Sequence, residues 1–454
     1  MIDFNRYCPP GLSLYPFQRC GIATSILERR TILGDEVGLG KTVQALIALE
    51  ATRSYPALVV CPASLRANWA KEVERWLPKR SVTVCNGVPH WGTDVTIASY
   101  DSLHKWQWVL TPGIKGFVCD ESHYVANPKA RRSKAALSIA RRIPGDGLVL
   151  ALTGTPILNR PAELIGQLML IDRLRILARP GNVNDPKAWR KAFLDEWCKD
   201  RGSLWDLHRV LRQTCYIRRR RQDVLGRRPT DRYPQYLSLP LAEYQGAERD
   251  FLWYLREHNG LVGVHGPALA TGLNKLTTLY RLVGEAKVGA AIEWVDNFLY
   301  TNPDRSLLVF AHHRAVQEAL VRHYGCPHVL AGQRDVEAQK ARFASQQSRL
   351  MVCSLGAARE GHTLTAAADV LFTELPWSLG VLIQAEARIN RIGQERADTS
   401  SWVLLGAGTI DERIWDLLQA KQDTFDTVVE GLSYDRKLER VARQLFSSYA
   451  QRAA

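Results

Sequence analysis

The stretch Gly34-Asp35-Glu36-Val37-Gly38-Leu39-Gly40-Lys41-Thr42 gathers glycines, a lysine and a hydroxyl residue in one short loop. These residue types suit the binding of a phosphate chain. Glycine backbone turns tightly and brings its N–H groups close to phosphate oxygens. Lys41 can reach the β- and γ-phosphates, and the Thr42 hydroxyl is a ligand for Mg²⁺. The loop residues Asp35, Glu36, Val37, Gly38, Leu39 and Gly40 would surround the same anion. The stretch departs from the plain G-x-x-x-x-G-K-[ST] pattern, which asks for glycine where this chain has Asp35.

A second group is Asp120-Glu121-Ser122-His123. Adjacent carboxylates suit a metal–water site, with Asp120 on Mg²⁺ and Glu121 polarising the attacking water. Alone, the pair also reads as a solvated acidic turn. Thr153-Gly154-Thr155-Pro156 offers small hydroxyl side chains that can relay hydrogen bonds between a nucleotide and a nucleic-acid groove, or form an ordinary turn. Upstream of the loop, Phe17 can stack on a base, and the Gln18 amide can donate to and accept from adenine. In isolation Gln18 reads equally as a surface glutamine.

Arginines form the third group. Arg218, Arg219, Arg220 and Arg221 are consecutive. Four cations in a row can track a phosphate backbone, serve as a nuclear-targeting signal, or form a solvated linker. Further on, Gln384, Arg388 and Arg391 recur at i, i+4 and i+7, a spacing that predicts one shared helix face. Such a face can meet a triphosphate, with an arginine stabilising charge that develops on the γ-phosphoryl group.

The flanking residues predict elements able to position these groups. Thr31 to Leu33 reads as a strand into the loop, and Val43 to Ala51 as a helix out of it. The runs 57–62, 95–100, 117–119 and 148–152 are apolar and short, as buried strands are. Ala63 to Trp76 reads as an amphipathic helix. In the second half, 306–310, 349–354, 370–372 and 402–405 read as strands, 315–324 as a helix, and 241–299 as helical with glycine interruptions. Strands alternating with helices predict an α/β fold with parallel sheets flanked by helices. Ligands of such sheets bind at the C-terminal strand ends, where the phosphate loop and Asp120 both fall.

Composition sets the frame. The 454 residues predict two to three domains. Lys and Arg outnumber Asp and Glu by 60 to 46, a net charge of +14 that fits a polyanionic partner. No run is long and apolar enough for a membrane helix, and the N-terminus lacks a signal peptide's layout. Nine scattered cysteines without C-x-x-C predict reduced thiols, no zinc site and an intracellular place of work.

Taken in order, these motifs resemble those of the Swi/Snf-type ATPases of helicase superfamily two. Leu14-x-Pro16-Phe17-Gln18 resembles the family's glutamine motif, and Asp35 to Thr42 its D-E-M-G-L-G-K-T loop. Val59 to Trp69 resembles motif Ia, Asp120 to His123 motif II, and Leu152 to Pro156 motif III. Arg218 to Leu225 resembles the basic block that closes the first lobe. The string Gln384 to Gln394 resembles motif VI, which makes Arg391, with Arg388 beside it, the implied arginine finger. Ser354 to Ala367 resembles motif V, with Gly361 at its centre. His362 and Trp377-Ser378-Leu379 depart from the family pattern. The phrases D-E-S-H-Y, 160–164, 308–313 and 381–388 are similar to those of a small annealing-helicase-like subgroup.

The resemblance implies two tandem RecA-like domains with an ATP cleft between them. The expected boundaries are 1–228 for the first lobe, 229–433 for the second and 434–454 for a basic helical tail. It implies ATP with Mg²⁺, hydrolysis of the β–γ bond, and sequence-tolerant translocation on duplex or forked DNA. An intracellular, DNA-associated location, in the cytoplasm or nucleoid if prokaryotic or viral and in the nucleus if eukaryotic, and a monomeric motor with possible targeting partners go with that expectation. An RNA-dependent ATPase and a motor subunit of a larger complex are the alternatives.

Overall fold

The computed structural model describes residues 3–86, 92–106, 113–178, 185–198, 201–227, 229–258, 267–333, 335–356, 364–396 and 398–430. The chain divides into two compact units. One comprises Met1–Arg227 with Thr424–Tyr434, and the other is built on Arg228–Asp423. The expected second lobe ran through 433, whereas 424–434 group with the first unit.

The first unit contains a seven-stranded sheet. Its strands are β1 (Arg30–Leu33), β2 (Ala57–Cys61), β3 (Val82–Val84), β4 (Val95–Ser99), β5 (Gly116–Asp120), β6 (Leu148–Leu152) and β7 (Tyr216–Ile217). Their order is β3-β4-β2-β5-β6-β1-β7, and every pairing is parallel. Strands β2, β4 and β6 are buried along their whole length, as expected where helices cover both faces. Leu46 and Leu49 of helix Lys41–Thr52 pack with Trp69 and Val73 of helix Arg66–Trp76 against Val59, Val118 and Leu150 of the sheet. Burying side chains of this size contributes about 1.5–3 kcal/mol each.

The second unit contains six strands: β8 (Asp231–Leu237), β9 (Leu307–Ala311), β10 (His328–Val329), β11 (Leu350–Ser354), β12 (Asp369–Phe372) and β13 (Ser400–Gly406). They run β10-β11-β9-β12-β13-β8, again with parallel pairings only. Strand β8 holds Pro234 and lies at the sheet edge, the position that tolerates a residue without an N–H. The predicted helical region resolves into Ala242–Glu257, Pro267–Ala286 and Val288–Thr301. Val295 and Phe298 of the last helix pack on Leu307, Val309, Leu371 and Leu404. Lys287 and Asp411, both fully buried, neutralise each other at 2.6 Å. No helix among the described residues is long and apolar enough to cross a membrane.

Candidate nucleotide-binding site

Strand β1 lies between β6 and the edge strand β7, so the loop that follows it emerges toward one side of the sheet, at the C-terminal strand ends. Gly38 and Gly40 have φ of +90° and +75°, which only glycine adopts freely. A Cβ on Gly40 would come within 2.6 Å of the Gln18 amide. Helix Lys41–Thr52 starts directly after the loop, so its free N–H groups and positive end point toward the loop's interior. Thr42 sits half-buried in that first turn.

The Lys41 ammonium donates to the carbonyl oxygen of Asp35 at 2.8 Å and to that of Glu36 at 3.4 Å. Burial lowers its pKa below the usual lysine range, while the carboxylates of Glu121, Asp35 and Asp120 act in the opposite direction. Lysine and both motif carboxylates therefore share one buried electrostatic neighbourhood. Asp120 ends β5. Its Oδ2 accepts from the Trp69 indole at 2.7 Å and its Oδ1 from the Glu121 amide at 3.0 Å. Burial, then the neighbouring Glu121 charge, pushes Asp120 up to about 6.

Glu121 adopts a left-handed backbone, φ +50°, which turns the chain out of the strand. Its carboxylate lies 3.3 Å from His123 Nδ1, and that nitrogen lies 3.4 Å from the Thr153 hydroxyl. The Thr155 amide donates to Thr153 Oγ1 at 3.1 Å. Thr153 and Thr155 are both fully buried. The hydroxyl residues thus sit inside the unit, in a polar chain that begins at Glu121. A Cβ on Gly154 would strike Val37 at 2.3 Å and approach Lys41 Nζ at 3.4 Å, so this turn packs directly on the phosphate loop.

Gln18 is buried. Its Oε1 accepts from the Tyr15 amide at 3.0 Å, and its Nε2 donates to the Leu39 carbonyl at 3.2 Å. The phosphate loop is thereby tied to helix Pro16–Glu28. Phe17 is buried, with the Arg219 guanidinium over its ring at 5.6 Å.

The arginine run corrects the reading of a phosphate-tracking stretch. Arg219 grips fully buried Asp35 through two nitrogens, Nε at 2.8 Å and Nη2 at 2.5 Å, and also donates to Gln44 and to the Phe17 carbonyl. Arg221 pairs with Glu36, whose Oε2 also accepts from the Arg221 amide at 2.7 Å. Arg218 pairs with Glu430 and is 7% exposed. The physical reason is charge balance. The loop carries Asp35 where the plain pattern asks for glycine, with Glu36 beside it, and Arg219 and Arg221 neutralise the two carboxylates next to a site built for an anion. Arg220 alone of the four is substantially exposed, and it pairs with Asp223.

In the second unit the shared helix face does not form. Helix Leu379–Glu386 ends before Arg388, and the chain turns. The Arg388 amide donates back to Ala385 at 3.0 Å, and Gln394 Nε2 ties the carbonyls of Ile389 and Ala367 at 2.8 and 2.7 Å. Asn390 anchors the same turn to Thr399. These two buried amides outweigh helical spacing. Gln384 is buried in the helix, Arg388 is buried past its end, and Arg391 donates from Nε to the Ala387 carbonyl at 3.0 Å. Gly361 and the tail from 434 lie outside the described residues.

A family model described as the SNF2-related domain matches residues 24–247, and one described as the helicase conserved C-terminal domain matches residues 290–393. The chain belongs to the SNF2 family. It is similar to the SWI/SNF-related matrix-associated actin-dependent regulator of chromatin subfamily A-like protein 1 of Bos taurus, at 32% identity over 90% of this chain and 44% of that protein. It is also similar to the DNA annealing helicase and endonuclease ZRANB3 of Mus musculus, at 29% identity over 92% of this chain and 41% of that protein. The Sulfolobus solfataricus SWI2/SNF2 ATPase core in complex with dsDNA matches 92% of this chain and 93% of that chain at 20% identity, with a TM-score of 0.44. The SNF2 chain described here spans less than half the length of the two curated relatives.

Several site residues were not visible in sequence. Trp69 closes the stretch that resembles motif Ia, but nothing in its spacing links it to Asp120. Gln44, the partner of Asp35 and Arg219, sits among apolar helix residues, where a buried amide is the single unusual letter. Glu430 has no local motif at all.

Proposed function

We infer that the protein is an ATP-hydrolysing motor that moves along double-stranded DNA and remodels forks, bubbles or DNA-bound proteins. The observation that supports it most is the meeting of Lys41, Asp120 and Glu121 at the ends of β1 and β5, the two strands that flank β6, under a loop whose backbone suits a triphosphate. Lys41 exchanges its loop carbonyls for the β- and γ-phosphates. Thr42 and Asp120 offer only oxygen donors, and the Glu121 charge, which adds to burial in raising Asp120, fits a hard divalent cation. Bound there, Mg²⁺ would neutralise charge between the phosphates. Glu121 orients the attacking water through its carboxylate, and His123 and Thr153 hold that carboxylate's surroundings in place. Arg391, assisted by Arg388, stabilises the charge of the transferring phosphoryl group. Positioning and charge stabilisation carry the chemistry.

The duplex as substrate rests on family membership, the net charge of +14 and the annealing-helicase name of a relative. Binding should be sequence-tolerant and fall with salt. The test is ATP turnover with no nucleic acid, duplex DNA, single-stranded DNA, forked DNA or RNA. Stimulation by duplex or forked DNA is expected. Preference for RNA would reassign the substrate.

A further inference from the structure

Arg218 occupies a junction of three strand ends. It follows β7, which pairs with β1, which pairs in turn with β6. Its Nη1 donates to the carbonyl of Gly34, the first residue of the phosphate loop, at 2.8 Å. The same nitrogen donates to the carbonyl of Gly154, in the turn after β6, at 2.9 Å. One guanidinium therefore fixes the loop against the turn that packs on Val37 and Lys41.

The other side of that guanidinium is held by a segment distant in sequence. Glu430 accepts from Nε at 3.1 Å and also from Nη2. The Phe425 ring lies 5.6 Å from the guanidinium carbon. The segment is anchored by buried Val428 and Val429, and His208 Nδ1 contacts the Val428 carbonyl at 2.9 Å. A planar fork can serve two carbonyls and a carboxylate at once, which a lysine ammonium cannot do in this geometry. Without the carboxylate, a buried cation is left with neutral partners only and is driven toward solvent.

We propose that Arg218 is a positioning residue of the phosphate loop and that Glu430 keeps it in place, which makes the returning segment 425–430 part of the nucleotide site. The proposal rests on the ATPase reading above. It assigns Arg218 to catalytic geometry instead of DNA contact.

The test compares the 454-residue chain with Glu430→Gln, Arg218→Lys, their double variant and, for duplex binding, Arg218→Gln. Steady-state turnover on duplex DNA should fall about tenfold in either single variant, the scale expected when a supporting residue lets catalytic geometry loosen. The double variant should lose no more than one single variant, because both changes break the same unit. Duplex affinity and its salt slope should stay at wild-type values. Wild-type turnover in Glu430→Gln, or a reduced salt slope in Arg218→Gln, whose lost charge would show in counterion release if the side chain met phosphate, would overturn the proposal.

Hydrogen exchange supplies a readout independent of activity. Amides of 34–40 and 153–155 should exchange faster in Glu430→Gln, while those of β2 and β4 stay protected. If wild-type protein neither binds nor hydrolyses ATP, the ATPase reading fails, and the exchange pattern alone decides the role of Arg218. Unchanged exchange at the loop would then refute it.

Discussion

The two arginine groups of this chain look alike in sequence and end in opposite situations. Arg218, Arg219 and Arg221 face inward in the first unit, each opposite a carboxylate from a distant part of the chain. Arg388 and Arg391 lie past the end of a helix in the second unit, on a turn organised by Asn390 and Gln394. A run of like charges does not reveal whether its counter-ions are phosphates or carboxylates. In the first unit the carboxylates were already present in the loop letters Asp35 and Glu36. The contrast teaches that arginines set opposite carboxylates support geometry in one unit, while the transition-state role proposed for Arg391 in the other has to be tested by substitution.

The largest expected effect lies on the second side of that comparison. Arg391→Ala should cut turnover about a thousandfold, roughly 4 kcal/mol of transition-state stabilisation, with little loss of ATP affinity or thermal stability. Equal losses of affinity and turnover would make it a binding residue and blur the contrast.

On the first side, Arg219→Ala should act through the fold. It leaves fully buried Asp35 with the Gln44 amide as its side-chain hydrogen-bond donor among the described residues, and breaking such a buried pair costs about 3 kcal/mol. Denaturant unfolding would show this as a lowered midpoint. An unchanged midpoint together with weaker DNA binding would restore the phosphate-tracking reading.

Two smaller effects sharpen the account. Because burial holds Asp120 up to about 6, ionising it opposes folding as pH rises through that value, yet the site needs the ionised form. The acidic limb of kcat/KM should therefore fall near this pH. Trp69→Phe removes a hydrogen bond that favours the carboxylate, so the limb should move upward, by about one pH unit. A downward or absent shift contradicts the role given to Trp69. Arg220→Ala removes only an exposed pair and should change stability by less than about 0.5 kcal/mol. A larger loss would place Arg220 with its neighbours.

Much of the architecture was legible because it is local. Apolar runs such as 57–61 and 148–152 mark buried strands, and a glycine-rich loop between strand and helix marks an anion site. Asp120 and Glu121 stood out by adjacency, although the pair alone also reads as a solvated acidic turn. What stayed hidden was non-local. The bonds from Trp69 to Asp120 and from Glu430 to Arg218 join residues that no period or motif connects. The helix ending at Glu386 was missed for a related reason. Spacing of i, i+4 and i+7 describes a helix that continues, and the buried amides that stop it find their partners in other elements. Pro234 hid β8 until its edge position was known.

The central claim is that Lys41 serves an ATP site coupled to duplex DNA. Phosphate release from ATP and Mg²⁺, with and without duplex DNA, in wild type and in Lys41→Ala, tests it most directly. The account predicts turnover that rises steeply with duplex in the wild type and vanishes in the variant, with duplex affinity retained. Normal turnover in Lys41→Ala would contradict it.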